Sequence, residues 1–237
     1  MQSRGMRSHS TGPAVAAAPR RRAKGADRRR QVLEATLDVL AAKGYAELTI
    51  ADIARSLGIS TALILSHFKT KDGLLLETQR MLGREYHDNW QQALAASGES
   101  AAEKLWALVT AEFDQQVCTP RKILAWKAFW AEARGRGEYI AEFGPRNVEY
   151  LRIATALCAA LIKEGGYQGY DARVAARSID SLEAGLWLEL TSTATPMTVH
   201  EARKTALEHL FMIFPRHFTA RGPIRGGPIR GPIKRAK

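Results

Sequence analysis

The sequence predicts an all-α protein: an N-terminal three-helix unit containing a helix-turn-helix, a larger C-terminal helical region, and a basic arm at each end. Three observations predict this. Apolar residues recur at helical spacing through almost the whole body, and no stretch alternates apolar and polar residues for a useful length. Glycine, proline and Ser/Thr residues fall where helices should begin and end.

In chain order, residues 1–25 are rich in Arg, Ser, Gly, Pro and Ala and hold no acidic side chain, so they read as a disordered basic arm. No apolar segment follows Arg20-Arg21-Arg22, which argues against a targeting peptide, and Met6 offers a second possible start. Val32, Leu33, Thr36, Leu37 and Leu40 form one apolar helical face, and Gly44 stops that helix. Short helices follow over about 49–57 and 60–67, then a long one over about 71–96. Gly98 and Ser100 introduce a helix over about 101–117, and Thr119-Pro120 opens the next, to about 135. Gly144-Pro145 is expected to interrupt the segment that runs on to about 164. The last two helices, about 171–193 and 198–214, are split at Pro196. Gly222-Pro223-Ile224-Arg225 recurs with variation to residue 234, so 216–237 reads as a second disordered basic tail. The expected domains are therefore 1–25 (arm), 26–72 (helix-turn-helix), 73–215 (ligand binding and dimerisation) and 216–237 (tail).

The net charge of +11 is unevenly placed. Residues 1–30 carry nine basic groups against Asp27 alone, and 216–237 carry seven against none, whereas 31–215 hold 19 basic and 23 acidic residues. Two basic arms on a mildly acidic body fit a polyanion partner, nucleic acid first and an anionic membrane surface second. The 46% apolar content is that of an ordinary globular chain, and no run is apolar enough for a spanning helix, so no membrane partner is expected. Cys118 and Cys158 sit in apolar helical patterns and read as buried thiols of a reducing, cytoplasmic compartment. The six histidines show no zinc-type spacing, and no Ser/His/Asp, Cys/His or glycine-rich phosphate-binding arrangement is present. No metal, no cofactor and no enzyme activity are expected.

The sharpest signal is Thr49 through Phe68. Thr49 and Asp52 form a capping box, and Ile50, Ile53, Ala54 and Leu57 make a buried stripe. Small Ala54 admits a crossing helix, Gly58 makes the turn, Ile59 plugs the angle and Ser60 caps the second helix, with Ile64 and Phe68 returning to the core. Together these build a helix-turn-helix whose second helix enters the major groove of double-stranded DNA.

The stretch LTIADIARSLGISTALILSHFKTKDGLLLE, with Lys71-Asp72-Gly73-Leu74 after the final Phe, resembles the DNA-binding domain of TetR-family transcriptional regulators. Beyond it, ILAWKAFWAEA (123–133) and SLEAGLWLEL (181–190) resemble the BetI-type subgroup, choline-responsive repressors of glycine-betaine synthesis. The resemblance implies a homodimer with a ligand pocket in the C-terminal helices and two half-sites on DNA. It departs at Ala62 and Leu65, where many members have Gly and a phosphate-contacting Tyr. Apolar contact with thymine methyl groups is the substitute open to Leu65.

On the DNA side, residues 31–80 hold five basic and six acidic groups, so the arm must supply positive charge. Arg28, Arg29 and Arg30 are expected on phosphate or in an adjacent minor groove. Thr49, Ser60, His67, Lys69 and Lys71 are further candidates at the backbone; Thr61, Ala62, Leu65 and Ser66 would face the bases.

For a ligand, Trp126, Phe129 and Trp130 share one helix face, with Trp106 and Trp187 nearby in the same region. Such aromatics can hold a quaternary ammonium by cation–π attraction, or can simply be core; both readings stand. Glu183, one turn before Trp187, would supply the anion, with Asp114 or Glu132 as alternatives. Ile179, Leu182 and Leu186 on one of the last helices, and Leu210 and Ile213 on the other, are expected to form an isologous dimer interface. The expectation is thus a dimeric repressor released from a palindromic operator by a small-molecule inducer such as choline. An uncharged or lipophilic inducer, or a non-specific nucleic-acid-binding helical protein driven by its tails, are the competing readings.

Overall fold

The computed structural model describes residues 18–133, 137–192, 195–225 and 227–228. Over them the chain is helical almost throughout, as the periodicity predicts: α1 (Ala18–Glu47), α2 (Ile50–Leu57), α3 (Thr61–Phe68), α4 (Lys71–Ala96), α5 (Ala101–Ala111), α6 (Pro120–Ala133), α7 (Gly137–Gly165), α8 (Ala172–Ser192) and α9 (Val199–Ile213). A two-residue hairpin, β1 (Phe218–Thr219) with β2 (Gly222–Pro223), follows.

The N-terminal unit folds on its capping chemistry. The Thr49 hydroxyl accepts from the Asp52 amide (3.1 Å), and the Asp52 carboxylate accepts from the Thr49 amide (3.3 Å), so two orphan donors at the start of α2 are satisfied. Gly58 ends α2 in the left-handed region (φ 62°, ψ 36°), and Ser60 caps α3 through the Leu63 amide (3.2 Å). Ile53, Ala54, Ile64 and Phe68 meet Val32, Leu37, Leu40 and Leu74 in a core continuous with that of the larger domain. Gly73 is forced by proximity: a Cβ there would lie 2.5 Å from the Phe68 carbonyl oxygen.

The C-terminal domain packs α5 between α4, α7 and α9, and α8 between α6, α7 and α9, while α6 also lies along α1. Among the described residues, no helix is long and apolar enough to cross a membrane. Cys118 and Cys158 are buried free thiols, and burial pushes both up to about 12.

Four expectations need correction. Helix α1 already begins at Ala18, within the segment read as a disordered arm; Arg, Ala and Lys extend an existing helix without needing a core. Residues 1–17 lie outside the described part. Helix α5 ends at Ala111, not near 117, because residues 112–118 turn on hydrogen bonds from Phe113 and Cys118 to Thr110 and Asp114. Helix α7 runs through Gly144-Pro145, so the lost amide bond and the crowding of the proline ring against the preceding turn do not end it there.

The fourth concerns the tail: residues 216–225 dock rather than remaining free. Phe218 is fully buried and stacks on Trp106 (6.2 Å, 19°), Gly222 (φ 142°) sits against the same indole, and the Ile224 amide bonds the His217 carbonyl. The aromatic anchor outweighs the composition of the repeat around it. Residues 226 and 229–237, with most of the later repeats, lie outside the described part.

Candidate functional site

The face of α3 turned away from the core carries Thr61, Ala62, Leu63, Leu65 and Ser66, all exposed, while Ile64 and Phe68 are buried beneath. Leu63 and Leu65 leave 37% of their surface to solvent, and the Ser66 hydroxyl donates back to the Leu63 carbonyl (2.7 Å). The helix therefore presents methyl groups and one threonine hydroxyl to whatever it meets. Lys69 stands exposed at its end, in a left-handed conformation (φ 68°), with Nζ on the Ser66 carbonyl (3.3 Å).

Several cations expected at DNA are engaged within the protein. Arg29 pairs with Glu77 (3.1 Å), donates to the His67 carbonyl (3.1 Å) and lies over the Phe68 ring (4.5 Å), so it ties α1 to the end of α3 and to α4. Burial opposes ionisation of Glu77, but the Arg29 and Arg80 guanidiniums hold its carboxyl below the ordinary value. Lys71 reaches the Tyr45 carbonyl (3.4 Å) and lies over that ring (5.7 Å). Arg30 is exposed, lining a surface groove with Asp27, Gln31, Glu34, Ala35, Asp38 and Leu57, and Arg28 is half-buried. His67 packs obliquely against Phe68 (6.2 Å). Thr49 and Ser60 serve as caps. Asp52 gathers Lys43 (2.8 Å), Thr49 and Arg55 (2.9 Å), which together hold its carboxyl far below the usual range.

The second site lies inside the C-terminal domain, where five helices converge on two carboxylates. Glu112, just past α5, and Glu183, on α8, are both buried. Tyr86 of α4 donates its hydroxyl to Glu112, and Tyr150 of α7 donates to Glu183 (2.8 Å). The Trp187 indole N–H donates to the Glu112 carbonyl (3.0 Å), closing the link between α8 and α5. Around them the rings meet edge to face: Tyr86 with Trp126 (6.4 Å) and Trp187 (6.3 Å), and Trp90 with Tyr150 (6.1 Å). Tyr86 is only half-buried as a residue, yet its hydroxyl end is enclosed.

Burial drives the electrostatics here. It pushes Glu112 up to about 8, with the charge of Asp180 adding to it and the Tyr86 hydrogen bond opposing it. Burial, and then the charge of Glu112, raise Glu183 well above the ordinary value. Glu183 Oε1 and Trp90 Nε1 are enclosed and find no hydrogen-bond partner among the described residues. Two buried carboxyl groups among aromatic rings are suited to receive a small organic cation, which offers charge to an ionised carboxylate and alkyl surface to the rings.

The structure brings Trp126, Glu183 and Trp187 together, with Trp130 stacked outside Trp126 (6.2 Å) and 44% exposed. It separates the other two candidates. Trp106 stacks on Phe218, and Phe129 packs edge-on against Tyr45 of α1 (6.3 Å). Asp114, an alternative anion, is exposed, where its carboxylate accepts from the Gln116 amide (2.7 Å). Tyr86, Trp90, Glu112 and Tyr150 were missed, although a signal existed: Glu112 continues the stripe of Leu105, Leu108 and Val109 at a seven-residue step. A carboxylate in phase with a buried stripe marks an interior charge. Among the described residues no cluster of three or more His, Cys, Asp or Glu side chains could hold a metal ion.

The expected dimer residues also divide. Ile179, Leu186 and Leu210 are buried in the protomer's own core, where a partner cannot meet them, and Leu182 and Ile213 are half-buried. The solvent-facing apolar residues of α8 and α9 are Val174, Leu188, Phe211 and Met212.

Residues 32–78 match the family of bacterial regulatory proteins, tetR family, and residues 101–215 match the BetI-type transcriptional repressor, C-terminal. The HTH-type transcriptional regulator BetI of Cronobacter sakazakii is 33% identical over 182 residues, covering 74% of this chain and 85% of the relative. That of Escherichia coli O157:H7 is 31% identical over 171 residues, covering 72% and 85%. Among solved structures, a transcriptional regulator from Pseudomonas aeruginosa PAO1 shares the fold with TM-score 0.70 at 24% identity, over 84% of this chain and 95% of the other. A transcriptional regulator from Saccharomonospora viridis, solved in complex with choline, does so with TM-score 0.69 at 24% identity, over 78% and 96%. The chain therefore belongs to the TetR family of bacterial transcriptional regulators, with a BetI-type C-terminal domain, and is a DNA-binding regulator rather than an enzyme.

Proposed function

We propose that this protein is a cytoplasmic, dimeric repressor that leaves a palindromic operator when a small organic cation, a quaternary ammonium such as choline, enters the Glu112–Glu183 cluster. One observation carries the ligand class: an unpartnered, buried Glu183 oxygen inside a ring of Tyr and Trp side chains. An uncharged inducer would leave that oxygen without a counter-charge. The choline found with the Saccharomonospora viridis relative supports the same chemistry.

Helix α6 offers the route from pocket to DNA. Its Trp126 borders the cluster, its Phe129 packs on Tyr45, and its Arg121 pairs with Glu34 and with Asp38 (2.9 Å) on α1. Movement of α6 on ligand entry would shift α1 beneath the reading helix, and the ligand's preference for one position sets the coupling, about 1–3 kcal/mol. The dimer would form through the exposed stripe of α8, Val174, Ser181, Ala184 and Leu188, against the same stripe of a second copy, joined by Phe211 and Met212 of α9. Small Ser181 and Ala184 allow the helices to approach closely.

Calorimetric titration tests the reading. Choline and betaine aldehyde should bind, and an isosteric alcohol with a tert-butyl group in place of trimethylammonium should not. Equal binding of the alcohol would refute a cationic inducer.

A further inference from the structure

We infer that the pocket exchanges a proton for its ligand: the Glu112–Glu183 pair holds a proton that leaves when an organic cation enters, so inducer affinity climbs with pH. This rests on the cationic-ligand reading above. The geometry makes the case. Two carboxylates share one buried cluster, each accepts from a tyrosine, and Glu183 Oε1 has no hydrogen-bond partner among the described residues. No described ion pair joins either carboxylate to a Lys, Arg or His. Two uncompensated charges in such surroundings are costly, and protonation is the remedy at hand.

Burial and the nearby charge of Asp180 push both carboxyl groups up, against the Tyr86 and Tyr150 hydrogen bonds, and no facing group among the described residues is a cation. Helix α4 presents Tyr86, α7 presents Tyr150, the loop after α5 presents Cys118, and α8 presents Asp180 one turn before Glu183, while α6 faces the pair with the Trp126 indole. None of these brings positive charge. His87, beside Trp90, is occupied by Glu149 (3.3 Å) and Asp88 (3.5 Å), and Arg177 offers Asp180 only a long contact (3.5 Å). The raised Glu112 and Glu183 values follow from this environment and belong to the pair as a unit.

The exchange balances. The protonated pair plus a quaternary ammonium gives the ionised pair holding the ammonium, plus one proton released to solvent; no covalent bond forms in the ligand. A quaternary ammonium has no proton to give, so the released proton must come from the protein.

The test uses the full-length dimer and choline chloride. Calorimetric titration at pH 7 in two buffers of different ionisation enthalpy, phosphate and Tris, should give enthalpies differing by about one proton's worth of buffer ionisation. Between pH 6 and pH 7 the Kd should fall about tenfold, the limit for one proton released. The E112Q variant, checked for folding by circular dichroism, should bind choline more weakly, with both dependences reduced. Equal enthalpies in the two buffers, with an unchanged Kd from pH 6 to pH 8, would overturn the exchange and leave the cationic reading intact. Absence of binding by both choline and tetramethylammonium would sink the cationic reading and the exchange with it.

Discussion

Replacing Arg29 with Met separates a structural tie from a DNA contact. The guanidinium is 37% exposed and its partner Glu77 28% exposed, so solvent screening leaves that ion pair about 0.5–1 kcal/mol. The bond to the His67 carbonyl, from a charged donor, adds about 1.5 kcal/mol, and the position over Phe68 about 0.5–1 kcal/mol. These share one side chain and do not add fully, so the expected loss is about 2 kcal/mol. For a chain of this size that lowers Tm by about 4–8 °C. Methionine keeps the apolar stem, so the loss reports the charged head rather than packing. Thermal unfolding followed by circular dichroism reads the stability, and fluorescence anisotropy against ionic strength reads the DNA side. Arg30→Met, at an exposed position, should instead keep Tm within about 1 °C and flatten the logarithmic salt slope of binding by about 0.9. An Arg29→Met protein with unchanged Tm and a flattened salt slope would refute the tie.

Other outcomes follow from the same geometry. Glu112 titrates near 8 when folded and near its ordinary 4.5 when unfolded, so between those values the native state binds more protons and stability must fall as pH rises. The limit is about 1.4 kcal/mol per pH unit for each proton held, and ligand-free Tm should drop from pH 5 to pH 8, less so in Glu112→Gln; a flat or rising profile would contradict the buried pair. Phe218→Ala removes a fully buried ring worth about 3–5 kcal/mol, capped by the local stability of the hairpin, so trypsin should cut faster at Arg221 and Arg225 and Trp106 emission should shift to the red. An unchanged cleavage rate would show that the ring does not hold the hairpin. Glu substitutions at Val174 and Leu188 together should yield monomers by sedimentation velocity; a persistent dimer would place the interface elsewhere. Uracil in place of a thymine facing Leu65 removes one methyl, about 0.8 kcal/mol or roughly fourfold in affinity, and Leu65→Ala should abolish that difference.

The helix-turn-helix was legible because its determinants are local. Thr49, Asp52, Gly58 and Ser60 each act within four residues, through caps and a left-handed turn that no distant contact can replace. The pocket was half legible: the subgroup resemblance pointed to Trp126, Glu183 and Trp187, while Tyr86, Trp90, Glu112 and Tyr150 come from three other parts of the chain. Trp106 and Phe129 misled because aromatic spacing states which rings share a face, not what that face meets. Ile179, Leu186 and Leu210 misled for the related reason that a helix packed between neighbours is apolar on its inner side, so the most hydrophobic stripe is the one a partner cannot reach.

By itself the amino-acid order determined the all-α class, the caps and turn of the helix-turn-helix and the family, since each depends on interactions spanning a few residues or on a contiguous pattern. The tertiary structure alone decided that Arg29 is a tie, that the carboxy-terminal repeat begins with a docked hairpin, and that two glutamates 71 residues apart (112 and 183) share one buried cluster. Burial and Coulomb coupling depend on distance through space, which residue order leaves open until the helices have packed.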